Sequence, residues 1–286
     1  MWPSRQPQRG TDTTAKVFRR RGGSAANVAV LAAEAGGSSR FIGQVGDDRL
    51  GTILIQELEA AGVDAAVTRH GRTGTIVILI EPDGERTMLP DRGAATQLSE
   101  VSGNPLNGVT WLHVPAYSLI VEPLGTTAQT IIESARTNGI PFSVDASSTG
   151  LLEEYGVART CDLLANLGPN VVFCNKDEAE LLGVGPGSPL AGAGLSVIKS
   201  GPDPVLLVDP AGDSIEVPVP PVAKVADTTG AGDAFAAGFL VATLGGAQPV
   251  EAAEAANRLA ATVLQSPGAG ESSQTTRGRS RCHTSN

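Results

Sequence analysis

Asp227-Thr-Thr-Gly-Ala-Gly-Asp-Ala-Phe-Ala-Ala-Gly-Phe239 is the stretch on which the reading of this 286-residue chain turns. Asp227, Thr228 and Thr229 are residue types that cap helices, and a helix starting near Gly230 follows from them. Gly230 and Gly232 have no side chain to block approach, so successive backbone N–H groups can face an anion, and the helix end adds a fixed partial positive charge. Asp233 then falls in the first turn, beside that anion position. A carboxylate repels phosphate, so its presence needs a reason, and taking a proton from an attacking hydroxyl is one. Phe235, Phe239 and Ala242 recur at helical spacing and would pin the helix to a core. A capped, glycine-rich helix start without ligand is the plainer reading, but GAGD preceded by DTT is far more specific than a bare GxG.

Outward from this segment, β-branched runs alternate with Ala/Leu-rich helical stretches. Helices are expected over 23–35, 50–61, 123–138, 177–182 and 231–244, and strands over 39–45, 110–114, 141–145, 171–175, 195–200 and 205–209. One interruption stands out: Gly74–Ile80 and Arg86–Leu89 flank the turn Pro82-Asp83-Gly84-Glu85, which predicts a hairpin apart from the main sheet. Strands separated by helices of this length imply an α/β fold with a mostly parallel sheet covered on both faces.

Composition narrows the function. Hydrophobic residues make up 41% and charged residues 18%, as in a water-soluble globular chain, and no run reaches the roughly 18 apolar residues of a membrane span. The net charge of -9 argues against a nonspecific nucleic-acid binder. The run Arg19-Arg20-Arg21 before a Gly-Gly turn reads as a solvated edge. Cys161, Cys174 and Cys282 have no CxxC spacing, so neither a disulfide framework nor a zinc site is expected, and a reducing cytoplasm is the simplest home.

DTTGAGDAFAAGF resembles the C-terminal fingerprint of the ribokinase-like (PfkB) carbohydrate kinases. Gly22-Gly-Ser-Ala-Ala-Asn-Val-Ala29 and Gly43-Gln-Val-Gly-Asp-Asp-Arg-Leu-Gly51 resemble its first fingerprint. The resemblance implies a three-layer fold with a mostly parallel central sheet and a small β lid near 74–89. It also implies transfer of the terminal phosphate of ATP, with Mg²⁺, to a sugar-type hydroxyl. By the same resemblance Asp233 is the catalytic base and Gly230, Ala231 and Gly232 form the anion hole, with Asp227 beside the acceptor.

Asn175-Lys-Asp-Glu178 resembles the family's NxxE element, which organises Mg²⁺ and its waters; read on its residues alone it is equally a helix cap with an acidic first turn. Gly22, Gly23 and Asn27 match the sugar-contacting GGxxxN, although a helix start also needs glycine for its turn. Lys199, Ser200 and Gly201 resemble the strand and turn that meet the nucleotide, and Asn257 with Ser266-Pro-Gly-Ala269 resemble segments near the adenine. Thr75 or Arg86 on the lid would reach substrate or lie exposed, and the Ile76, Ile78 and Ile80 face would pair two copies.

Residues 22–270 are thus expected to form the kinase domain and 271–286 a disordered tail. Residues 1–21 form an atypical segment lacking the family's opening strand and acidic residue, which leaves a central strand missing and its neighbours unpaired. A nucleoside kinase of the same family, and a truncated homologue that binds ligand without turnover, stay open as alternatives. An NAD-dependent dehydrogenase is disfavoured, because no GxGxxG follows an opening strand.

Overall fold

A computed structural model describes residues 2–3, 9–80, 86–223, 225 and 227–265. The chain opens on two short strands, β1 (Trp2–Pro3) and β2 (Ala15–Lys16), paired antiparallel, so residues 1–21 contain a β pairing that their composition did not announce. Helix α1 (Ser24–Glu34) starts after Gly23, whose φ of 95° is open to glycine and strained for other residues. Strand β3 (Arg40–Val45), helix α2 (Arg49–Ala60) and strand β4 (Asp64–Arg69) make a crossover unit, with β3 and β4 parallel from Arg40↔Asp64 to Val45↔Arg69.

Asp48 caps α2 by accepting from the Gly51 N–H at 2.8 Å, and it also accepts from the hydroxyl and N–H of Thr73 at 2.6 and 2.8 Å. The Thr73 bonds, with that cap, hold the Asp48 carboxyl down to about 2. Asp48 thereby ties α2 to the foot of the hairpin, which consists of β5 (Thr73–Ile80) and β6 (Arg86–Gly93) in a two-stranded sheet of their own. The expected turn Pro82–Glu85 lies outside the described residues.

The main sheet is built from β7 (Leu112–Pro115), β8 (Phe142–Asp145), β9 (Val171–Asn175), β10 (Ser196–Ser200), β11 (Asp203–Val208) and β12 (Ser214–Val217). Its spatial order is β12-β11-β10-β9-β8-β7, parallel from β7 to β10 and antiparallel across β11 and β12. Between the strands run α3 (Tyr117–Ile120), α4 (Leu124–Thr137), α5 (Thr149–Tyr155), α6 (Val157–Leu167) and α7 (Lys176–Leu182); α8 (Ala231–Leu244) and α9 (Pro249–Gln265) close the described chain.

The alternation along each strand divides the core into two layers. Val144, Val172, Cys174, Ile198 and Val208 pack with α3 to α7. Val171, Phe173, Val197, Val205 and Leu207 pack with α1, α8 and α9. Aromatic residues are scarce, and three of them concentrate in this second layer, where Phe173 meets Phe239 edge-on at 5.4 Å and Phe235 at 6.3 Å. Helix α1 also packs on α2 through Ala26, Ala29, Val30 and Leu58. Among the described residues no strand joins β3 to β7, so β3 and β4 stand as a separate parallel pair. Cys161 and Cys174 are free thiols, and burial pushes Cys174 up to about 12; Cys282 lies outside the described residues. Among the described residues no helix is long and apolar enough to cross a membrane.

Candidate active site

Strands β8, β9 and β10 run parallel and deliver Asp145, Asn175 and Lys199 to the same, carboxyl end of the sheet, where open α/β folds hold their ligands. Lys199 Nζ donates to Asp145 Oδ2 at 2.8 Å, and both side chains are nearly buried. Burial works against the charged ammonium, but Asp145, aided by Glu178, holds the Lys199 pKa above its ordinary value. Ser200 and Gly201 continue into the tight turn between β10 and β11, where Gly201 takes a φ of 61°.

Helix α8 begins against this pair. A methyl group placed on Gly232 would stand 3.4 Å from Lys199 Nζ, so the first turn of α8 lies beside the ammonium. Gly230, at φ 82°, is itself the cap residue, in place of the Asp227–Thr229 side chains expected there. Asp227 instead closes the turn before it, its Oδ1 accepting from the Thr229 N–H at 2.8 Å. The Ala231 N–H is engaged with the Thr228 carbonyl at 3.3 Å, so of the three expected anion-facing residues Ala231 already donates within the turn.

Asp233 lies in the first turn of α8 and meets α1. Ser24 Oγ donates to its Oδ1 at 2.7 Å and Asn27 Nδ2 to its Oδ2 at 2.8 Å. Burial raises the Asp233 pKa, while the Asn27 and Ser24 bonds, which favour the ionised form, work against that rise. Arg21 Nη1 donates in turn to Asn27 Oδ1 at 2.8 Å. The reading of Arg19–Arg21 as a solvated edge therefore holds for Arg19, which pairs with Glu57 at the exposed surface, and fails for Arg21. Gly22 and Gly23 are exposed beside it, with nothing within 4 Å of where a Cβ would be.

Asn175 and Glu178 form a reciprocal capping box at the start of α7, each side chain accepting from the other's N–H at 2.8 Å. Glu178 is 3% exposed; burial raises its pKa, and the nearby Asp145 adds to that rise. Among the described residues no group of three or more His, Cys, Asp and Glu is poised around a metal position.

Structure thus brings Asp233, Asn27, Gly232, Lys199 and the Gly22–Gly23 turn into one region. The remaining expected residues make other contacts, are exposed, or fall outside the described residues. Asn257 is buried on α9, where its amide donates to the Pro218 carbonyl at 3.1 Å and ties the helix to the segment after β12. Thr75 is exposed on the hairpin; the Arg86 side chain and Ser266–Ala269 lie outside the described residues. Ser24, Arg21 and Asp145 were missed by sequence reasoning. Asp145 had one signal, an acidic residue closing a strand that feeds a parallel sheet.

The pattern of the pfkB family of carbohydrate kinases matches residues 4–276. A fructokinase from Salmonella typhimurium is 32% identical over 246 residues, covering 80% of this chain and 79% of its own. An ATP-dependent ribose-1-phosphate kinase from Halopiger xanaduensis is 30% identical over 254 residues, covering 87% and 81%. Among solved structures, adenosine kinase from Sinorhizobium meliloti superposes with a TM-score of 0.77 at 25% identity, over 86% of this chain and 79% of that one. A protein from E. coli assigned as ribokinase II, solved with ATP and Mg²⁺, gives 0.79 at 22% identity over 94% and 90%, a likeness of fold. A match of this length, with relatives at 30% and 32% identity across most of both chains, makes this protein a member of the pfkB family of carbohydrate kinases.

Proposed function

We propose that the chain transfers the terminal phosphoryl group of ATP to a hydroxyl of a sugar or sugar acid, with Asp233 as general base. The observation that carries this reading is the half-buried Asp233 carboxylate at the start of α8, held by Ser24 and Asn27 from the helix that follows the exposed Gly22–Gly23 turn. Each carboxylate oxygen accepts one bond from the protein and keeps a lone pair for an incoming hydroxyl. Asp233 takes the proton as that oxygen attacks phosphorus. Gly22, Gly23, Asn27 and Asp227 surround the acceptor. The Gly230 and Gly232 backbone and the α8 N-terminus steady the transferring charge, with Ala231 contributing less because its N–H is engaged.

Lys199, Ser200 and Gly201 face the nucleotide at the end of β10, and Asn257 acts only through the placement of α9. The donor chemistry fits Mg²⁺, which keeps most of its waters and needs few carboxylates. Glu178 and Asp145 would hold it through water, with Asn175 fixing Glu178. Bound there, Mg²⁺ would neutralise phosphate charge.

The β5–β6 hairpin serves as the lid and as the surface pairing two copies, and the cytoplasm is the compartment that supplies ATP. The relatives' names place sugars and sugar phosphates first in an acceptor panel, and the adenosine kinases of like fold keep nucleosides in it. Asp233→Asn is expected to lower kcat by about 10²- to 10⁴-fold while calorimetry still detects ATP binding. Near-normal turnover of that variant would remove Asp233 from the role. Absence of turnover by folded wild type across the whole panel would favour a ligand-binding homologue.

A further inference from the structure

Arg21 has no part in the chemistry above, yet it turns inward. Its Nη1 donates to Asn27 Oδ1 at 2.8 Å, and Asn27 Nδ2 passes on to Asp233 Oδ2 at 2.8 Å. The side chain is half-buried, and among the described residues it makes no ion pair. Burial draws its pKa down, and the carboxylates of Glu34, Glu57 and Asp233 oppose this only through space. A guanidinium offers five N–H donors in a rigid planar fork, of which the Asn27 carbonyl takes one. A charge partly removed from water beside a neutral partner is unfavourable unless something anionic completes it. Adjoining Arg21, the exposed Gly22 and Gly23 border open space, with nothing within 4 Å of a Cβ on either. Holding the Asn27 amide in one orientation is the simpler role, but one N–H suffices for that and a neutral donor would serve.

We propose that Arg21 is a specificity-determining residue that binds an anionic group, carboxylate or phosphate, on the acceptor, close to the hydroxyl that is phosphorylated; this rests on the phosphotransfer reading. A planar fork matches either group bidentately. Asn27, bonded to both Arg21 and Asp233, sets that group one side chain away from the base. A neutral sugar leaves the fork uncompleted.

The test compares matched acceptors (neutral sugars, their aldonic acids and their monophosphates) on wild type, Arg21→Gln and Arg21→Lys. Wild type is expected to prefer an anionic acceptor. Arg21→Gln is expected to lower the anionic-to-neutral ratio of kcat/KM by about ten- to a hundredfold, chiefly through KM, with Arg21→Lys between the two. Whichever anionic arm loses more identifies carboxylate or phosphate. A wild-type preference for neutral acceptors, or an equal loss on both kinds, overturns the proposal and leaves Asp233 and phosphotransfer standing. Turnover of no acceptor would defeat the phosphotransfer reading instead. Calorimetric titration with the same acids and phosphates then decides the subsite: weaker binding by Arg21→Gln upholds it, and equal binding overturns it.

Discussion

Two influences meet on the Asp233 carboxyl: burial favours its protonated form, and the donors Asn27 and Ser24 favour its ionised form. A general base works only when ionised, so kcat/KM is expected to rise with pH through a pKa lying above the ordinary carboxylate value. Ser24→Ala deletes one donor to the ionised form while leaving the burial. The acid limb of the profile should therefore move to higher pH, by up to about one unit for one charge-assisted bond. A limb that stays in place, or moves down, would show that Ser24 does not act on the base in solution. Neither Ser24 nor Arg21 was legible as a site residue from the sequence. The contact from Ser24 to Asp233 spans 209 positions, and no local pattern records which hydroxyl a fold will set against a distant carboxylate. Asp233 itself was legible because its surroundings, Gly230 and Gly232 at a helix start, are consecutive in the chain.

Helix α8 carries Asp233, the proposed base, and its seat on α9 depends on a residue with no side chain. A methyl group on Gly238 would lie 2.9 Å from the Cα of Ala256, a backbone atom that no rotamer change can move aside. Gly238→Ala gains helix propensity worth about 1 kcal/mol, but overpacking a tight contact costs about 1–3 kcal/mol. The expected outcome is net destabilisation, read as a lower urea midpoint, with reduced turnover as α8 shifts. A raised midpoint would mean that the two helices sit farther apart than 2.9 Å implies. The same helix was readable end to end as 231–244, and so was β9 at 171–175, because long periodic or β-branched runs announce themselves. Elements with weak local signals escaped. Strand β4, Asp64-Ala-Ala-Val-Thr-Arg69, has few β-branched residues, and its pairing with β3 makes it a strand. Strand β12 is a four-residue edge with three exposed positions, and α5 and α6 are short helices broken at Gly156, where φ is 102°.

At the scale of the whole molecule, the β5–β6 hairpin is the element whose surface does not suit a lone particle. A two-stranded sheet is marginal by itself and gains stability by packing on something. Its foot is fixed through Thr73 and Asp48, yet Ile76, Met88 and Leu89 farther out are 48%, 51% and 54% exposed. Cross-strand register assigns them to opposite faces: Met88 stands opposite Ile78 and beside Ile76, whereas Leu89 stands opposite Val77. A lid needs only one apolar face, the one that closes over an acceptor and excludes water. Apolar residues on both faces leave the second to a partner, and a second copy of the chain presents the same strip. Wild type is accordingly expected to sediment at twice the 29.1 kDa of one chain. Met88→Asp sets a charge in the middle of the Ile76–Ile78 face, where a desolvated carboxylate without a counter-ion is strongly unfavourable. That variant should sediment as a single chain, and a matching Leu89→Asp change should instead weaken turnover with the dimer intact. If both charges leave the dimer whole, the interface lies elsewhere; if wild type is already a 29.1 kDa particle at micromolar concentration, both faces belong to the lid alone.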